Sequence, residues 1–167
     1  MTIRIGIITV SDRSSRRERL DESGPALENA IVQQGWLVIR TTILPDDIGQ
    51  LTSTLIEWSD GGEMDVILTT GGTGFSPRDI TPEATQAVIQ RSAPGMAEAM
   101  RLGSLRITPH AMLSRAIAGI RSKTLILNLP GSPKGALENL AVVLPVLPHA
   151  VQLLIEDPSA EAGHHQI

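Results

Sequence analysis

Two aspartates and two glycine-bearing loops carry the chemistry open to this sequence. Asp46 follows Pro45 at the end of an apolar run, and Asp79 lies in the stretch after Thr70-Gly71-Gly72-Thr73-Gly74. Glycine lets backbone N–H groups approach an anion, and a following helix N-terminus adds partial positive charge. A carboxylate beside a phosphate is repelled by it unless a cation lies between them. Two carboxylates facing a phosphate are a usual way to hold magnesium, which takes hard oxygen ligands and keeps several waters. A second loop, Leu129-Pro130-Gly131-Ser132-Pro133-Lys134, offers backbone N–H donors, a hydroxyl and an ammonium point charge. Each feature also has a plain reading, since aspartates cap helices and glycines make ordinary turns. The glycine run is not a dinucleotide fingerprint, because Pro77 stands where a third glycine is needed. No Gly-Lys-Ser/Thr follows it, so it is not a P-loop.

The hydropathy pattern shows the elements that must position these residues. Apolar, β-branched runs predict strands at 3–10, 36–44, 65–70 and 124–129. Helical spacing predicts helices at 26–34, 48–59, 82–90, 94–102, 136–144 and 148–155, with a break at Pro145. Thr81 is the expected N-cap of the helix at 82–90, with Pro82 at its first position. The stretch 14–22 reads as a charged mobile loop, and 114–118 is ambiguous between helix and loop. Strands that are apolar throughout and alternate with helices predict a mostly parallel sheet covered on both faces. In such sheets ligands bind beyond the C-terminal strand ends. The loops at Ser11-Asp12, Pro45-Asp46, 71–79 and 130–134 should therefore converge on one edge. Residues 1–156 read as one domain and 157–167 as a polar tail.

Composition narrows the partners. The chain has 167 residues, 41% of them hydrophobic, which suits a folded domain with a sizeable core. A formal net charge of −4 without a basic run argues against nucleic acid as the main partner. The few aromatic residues, Trp36, Trp58 and Phe75, argue against a base-stacking platform. With no cysteine, disulfides, thiolate chemistry and Cys-based zinc sites are excluded. The N-terminus reads as a strand rather than a signal peptide, and no stretch reads as a membrane span. A cytoplasmic protein is the expectation. His110 and His149 are lone, and His164 and His165 lie in the tail, so no catalytic histidine is expected. Arg115 reads equally as a solvated charge or an anion contact.

Several motifs resemble one family when taken together. They are Thr70-Gly-Gly-Thr-Gly74, Arg78-Asp-Ile-Thr-Pro-Glu-Ala-Thr85, Ala93-Pro-Gly-Met96, Gly103-Ser-Leu105, Ile107-Thr-Pro109, Met112-Leu-Ser-Arg115 and Leu127-Asn-Leu-Pro-Gly-Ser132. The set resembles the MogA-type molybdopterin adenylyltransferases and the corresponding domain of gephyrin, from Ile3 to about Ile155. The resemblance implies a three-layer α/β/α sandwich and a homotrimer. It implies that magnesium-ATP adenylylates the terminal phosphate of molybdopterin, and that a MoeA-type molybdate insertase takes the product. By the family pattern Asp46 and Asp79 are catalytic and hold the metal. Gly71, Gly72, Thr73 and Gly74 form the nucleotide site with Leu129, Pro130, Gly131, Ser132 and Pro133. Ser104 and Asn128 match polar residues of the active-site region, and Ser11, Asp12 and Lys134 join them as substrate contacts. The nucleophile in this reaction is an ionised phosphate, so the shortage of useful histidines does not count against an enzyme. The competing expectations are a MoaB-like carrier that binds molybdopterin without turnover, and a trimerising scaffold.

Overall fold

The computed structural model describes residues 1–158 and 160. Most of the expected tail, 159 and 161–167 with His164 and His165, therefore lies outside the described residues. Six strands form one sheet: β1 (Arg4–Val10), β2 (Leu37–Leu44), β3 (Val66–Thr70), β4 (Arg91–Ser92), β5 (Ala118–Arg121) and β6 (Thr124–Leu129). Their spatial order is β2-β1-β3-β6-β5-β4. The first four in that order run parallel, and β5 and β4 are added antiparallel at the far edge. Every residue of β3 and β6 is buried. That explains why apolar residues dominate both, because a central parallel strand is covered on both faces.

The helices are α1 (Asp12–Ser15), α2 (Ser23–Gln33), α3 (Ile48–Asp60), α4 (Thr81–Val88), α5 (Pro94–Leu105), α6 (Pro133–Val143) and α7 (Leu147–Leu154). Strand pleat divides the core in two. Ile5, Ile7, Leu68, Leu125 and Leu127 pack with α2, α5, α6 and α7 on one face. Ile8, Val10, Ile67 and Ile126 pack with α3 and α4 on the other. The result is the expected three-layer α/β/α sandwich.

Three local expectations change. The stretch 14–22 is not a free loop: α1 occupies its start, and Asp21 anchors its end. Asp21 Oδ2 accepts from the Thr9 hydroxyl at 2.7 Å, and Oδ1 accepts from the N–H groups of Ser23 and Gly24. This carboxylate satisfies the orphan amides at the start of α2, so the helix begins at Ser23 rather than at 26. The ambiguous region 114–118 is an extended connection from a 3₁₀ turn at Pro109–Leu113 to β5, which begins at Ala118. Finally, the run Pro133–Leu154 is long and apolar enough to cross a membrane, contrary to expectation. A 3₁₀ turn at Leu144–Val146 divides it, and Ala136, Leu140, Val143, Leu147 and Val151 lie in the core.

Asn128 is the one fully buried amide within the parallel strands. Its Nδ2 donates to Thr69 Oγ1 at 3.0 Å and Thr85 Oγ1 at 2.9 Å, and its Oδ1 accepts from Ile117 N–H at 3.2 Å. It thereby ties β6 to β3, α4 and the approach to β5. Asn128→Ala should destabilise the fold by several kcal/mol, because each buried group left unpaired costs roughly 1–3 kcal/mol. Urea titration measures this; a loss under about 1 kcal/mol contradicts the assignment.

Candidate active site

Because β2, β1, β3 and β6 are parallel neighbours, their C-terminal ends open on one edge, and the four polar loops meet there. The loops after β1 and β2 hold each other. Asp12 N–H donates to Asp46 Oδ2 at 2.8 Å, and Asp46 N–H donates to Asp12 Oδ1 at 3.0 Å. Arg78, from the loop after β3, donates to Asp12 Oδ2 through Nε at 3.0 Å and Nη2 at 2.7 Å. Asp12 is thus spent on structure, and Arg78 holds its carboxyl below the usual carboxylate range. Burial instead pushes Asp46 up, and the nearby charges of Asp12 and Asp79 push the same way; the Asp12 N–H and Arg78 oppose them.

The glycine loop is closed from below. Gly71 and Gly72 both have positive φ, 100° and 65°. A Cβ on Gly71 would strike the Val10 carbonyl, and one on Gly72 would strike the Thr81 hydroxyl. Thr81 is not the N-cap of α4 but its first residue. Its hydroxyl donates to the Gly71 carbonyl at 2.8 Å and its N–H donates to the Gly72 carbonyl at 3.0 Å. Asp79 Oδ2 accepts from Ser76 N–H at 3.0 Å and would lie 2.8 Å from a Cβ on Gly74. The second loop abuts the first, since a Cβ on Gly131 would lie 3.2 Å from Gly71 Cα. Ser132 caps α6 by accepting from Gly135 N–H at 3.2 Å.

Two clefts flank this double loop. The first, of about 330 Å³, is lined by Ser11, Asp46, Asp79, Gly71, Gly72 and Gly131 among others. The second, of about 280 Å³, is lined by Thr73, Gly74, Ser104, Ser114, Pro130 and Asn139 among others. Ser132 faces both. Among the described residues no group of three or more His, Cys, Asp or Glu side chains could hold a metal. Asp46 and Asp79 alone make no closed site, so a metal held there would keep water or phosphate oxygens in its shell.

A profile of the family described as a probable molybdopterin binding domain matches residues 6–149. The chain belongs to that family. It is 43% identical to the molybdopterin adenylyltransferase of Helicobacter pylori strain J99 over 156 residues, covering 92% of this chain and 89% of that protein. It is also 43% identical to the gephyrin of Dictyostelium discoideum over 166 residues, but it spans only 23% of that protein's length. Among solved structures it resembles the molybdopterin biosynthesis enzyme MoaB of Thermus thermophilus, with TM-score 0.88 and 50% identity. That match covers 94% of this chain and 99% of the other.

This member of the molybdopterin-binding family brings most of the expected site residues together, with five exceptions. Asn128 and Leu129 are fully buried beneath the loops. Pro133 opens α6, and the Lys134 side chain is 80% exposed, 3.7 Å from Glu138 on the same helix. Neither Pro133 nor Lys134 lines either cleft. Asp12 supports Asp46 from behind. Sequence reasoning missed Arg78, Asp21 and Ser23, whose hydroxyl donates to the Gly131 carbonyl at 2.7 Å. Only Arg78 left a signal, as the neighbour of Asp79.

Proposed function

We propose that the protein is a molybdopterin adenylyltransferase that acts with magnesium-ATP. The observation that carries this reading is the pair of clefts sharing one wall, with both candidate carboxylates on one side of it. The first cleft combines two carboxylates, backbone amides and the Ser11 and Ser132 hydroxyls, which suits a metal-bound polyphosphate. Among the described residues the salt bridges of this region run to Asp12 and Glu83, leaving Asp46 and Asp79 to meet a cation. Magnesium bound there would neutralise phosphate charge and polarise the phosphorus under attack. The second cleft presents Thr73, Ser104, Ser114 and Asn139, hydrogen-bonding groups suited to a pterin ring. Relatives named molybdopterin adenylyltransferase, at 43% and 39% identity over most of their length, support the assignment.

In this reading an oxygen of the molybdopterin terminal phosphate attacks the α-phosphorus of ATP. The new O–P bond forms as the bond to the β-phosphate oxygen breaks, and pyrophosphate leaves. The attacking oxygen is already ionised at neutral pH, so no side chain needs to remove a proton. The protein contributes position and electrostatics: the loop amides and Ser132 hold the phosphates where the two clefts meet. The product is an activated phosphate anhydride, which fits consumption by a MoeA-type molybdate insertase. A homotrimer fits the exposed apolar side chains of Leu102, Ile107 and Met112.

Purified protein given ATP, magnesium and molybdopterin should yield adenylylated molybdopterin and pyrophosphate, separable by chromatography. Tight binding of molybdopterin without that product, while a related enzyme turns over beside it, would overturn the proposal in favour of a carrier.

A further inference from the structure

We infer that Arg115 is a positioning residue that closes the segment carrying Asp79 into a rigid bracket. Its backbone N–H donates to the Thr73 carbonyl at 2.8 Å. Its Nε donates to the Gly74 carbonyl at 2.6 Å, and its Nη2 donates to the Asp79 carbonyl at 2.8 Å. One guanidinium therefore joins the two ends of the stretch 74–79. Those carbonyls belong to an irregular loop and have no strand or helix to satisfy them. The fork also reaches the Glu83 carboxylate in the first turn of α4.

Arg115 is itself held. Arg101, from α5, donates through Nη1 to the carbonyls of Ser114 and Ala116, each at 3.0 Å, on either side of Arg115. Arg101 and Ser114 line the second cleft, whereas Asp79 lines the first. The clamp thus runs from the wall of one cleft to a carboxylate of the other. It sets where the Asp79 carboxylate stands relative to the amides of Gly71 and Gly72. Lysine keeps the charge but cannot aim several donors in fixed directions.

A plainer role is an ion pair that steadies α4 through Glu83, and two variants separate the alternatives. Arg115→Lys can keep the pair but not the fork, whereas Glu83→Gln removes the pair and leaves the three carbonyl contacts. The decisive measurement is amide hydrogen exchange over 71–79, which needs neither substrate nor metal. Arg115→Lys should speed exchange there by about tenfold or more with 124–129 unchanged, and Glu83→Gln should change it by less than about threefold. If Glu83→Gln opens the loop, or if a folded Arg115→Lys leaves its exchange unchanged, the clamp is wrong. The Glu83→Gln arm decides whether the ion pair alone holds the loop even where Arg115→Lys does not fold.

The kinetic consequence rests on the adenylyltransferase reading. Arg115→Lys should lower kcat by about 30-fold or more with KM for molybdopterin within about threefold, because the defect lies in geometry rather than in pterin contacts. An equal rise in KM with kcat unchanged would contradict it. Native protein that forms no adenylylated product would sink the enzymatic reading alone, and the exchange result would still decide the clamp.

Discussion

Asp46→Asn should lower adenylylation by at least about 100-fold, the scale of losing one preorganised electrostatic contact at the reacting centre, and leave the fold intact. Geometry predicts both halves of this result. The substitution is isosteric, and an amide oxygen can still accept from Asp12 N–H as Asp46 Oδ2 does. What disappears is the charge available to a cation. The metal-free protein loses nothing by that change. Burial holds the folded pKa of Asp46 above its unfolded value. The stability linked to this group is therefore fully present below the unfolded pKa and is lost as pH rises through the folded one. At neutral pH the ionised carboxylate is a burden, so Asp46→Asn should melt at the same temperature as the native protein or higher. Lowering the pH should close that gap. Adding magnesium and ATP should reverse it, because only the native site gains from the bound cation. Scanning calorimetry across pH, with and without magnesium-ATP, reads all of this beside the turnover assay. Near-normal turnover of Asp46→Asn would remove the residue from the catalytic assignment.

Gly71→Ala should abolish turnover to a similar extent and also destabilise the protein by about 1–3 kcal/mol, the cost of one strained backbone position. At φ 100° an L side chain is strained, and the added Cβ would meet the Val10 carbonyl at the end of β1. The loop can relieve that contact only by lifting away from β1. Doing so pulls the Gly71 carbonyl off Thr81 and disturbs the contact with Gly131. Gly95→Ala is the control. Gly95 lies in α5, and a Cβ there meets nothing within 4 Å. It should gain about 0.5–1 kcal/mol from helix propensity and leave activity unchanged. Denaturant midpoints and initial rates on the two variants separate loop geometry from a general intolerance of glycine replacement.

The sequence made the frame legible because the frame is local. β1, β3 and β6 are short, mostly apolar runs, and such runs alternating with helices leave few topologies besides a parallel sheet. From that alone the strand-end loops had to share an edge, so Asp46 and Asp79 could be placed together. The supports were not legible, because they join residues far apart in the chain. Arg78 reaches back to Asp12, and Arg115 reaches back to Gly74 and Asp79. Neither pairing has a periodicity or a motif to announce it. The strands β4 and β5 were hidden by their shortness, and β4 has only two residues. Asn128 misled for a different reason. Only the family pattern placed it in the active-site region, and here its amide is consumed by Thr69, Thr85 and Ile117.

The reciprocal grip between Asp12 and Asp46 bears on how this site could be rebuilt. Each carboxylate is oriented by the other's main chain, so the loops after β1 and β2 behave as one part. Transplanting either loop alone from a relative would bring in a backbone whose counterpart stayed behind. Recombination and engineering should therefore succeed at this edge of the sheet only when 11–12 and 45–46 travel together.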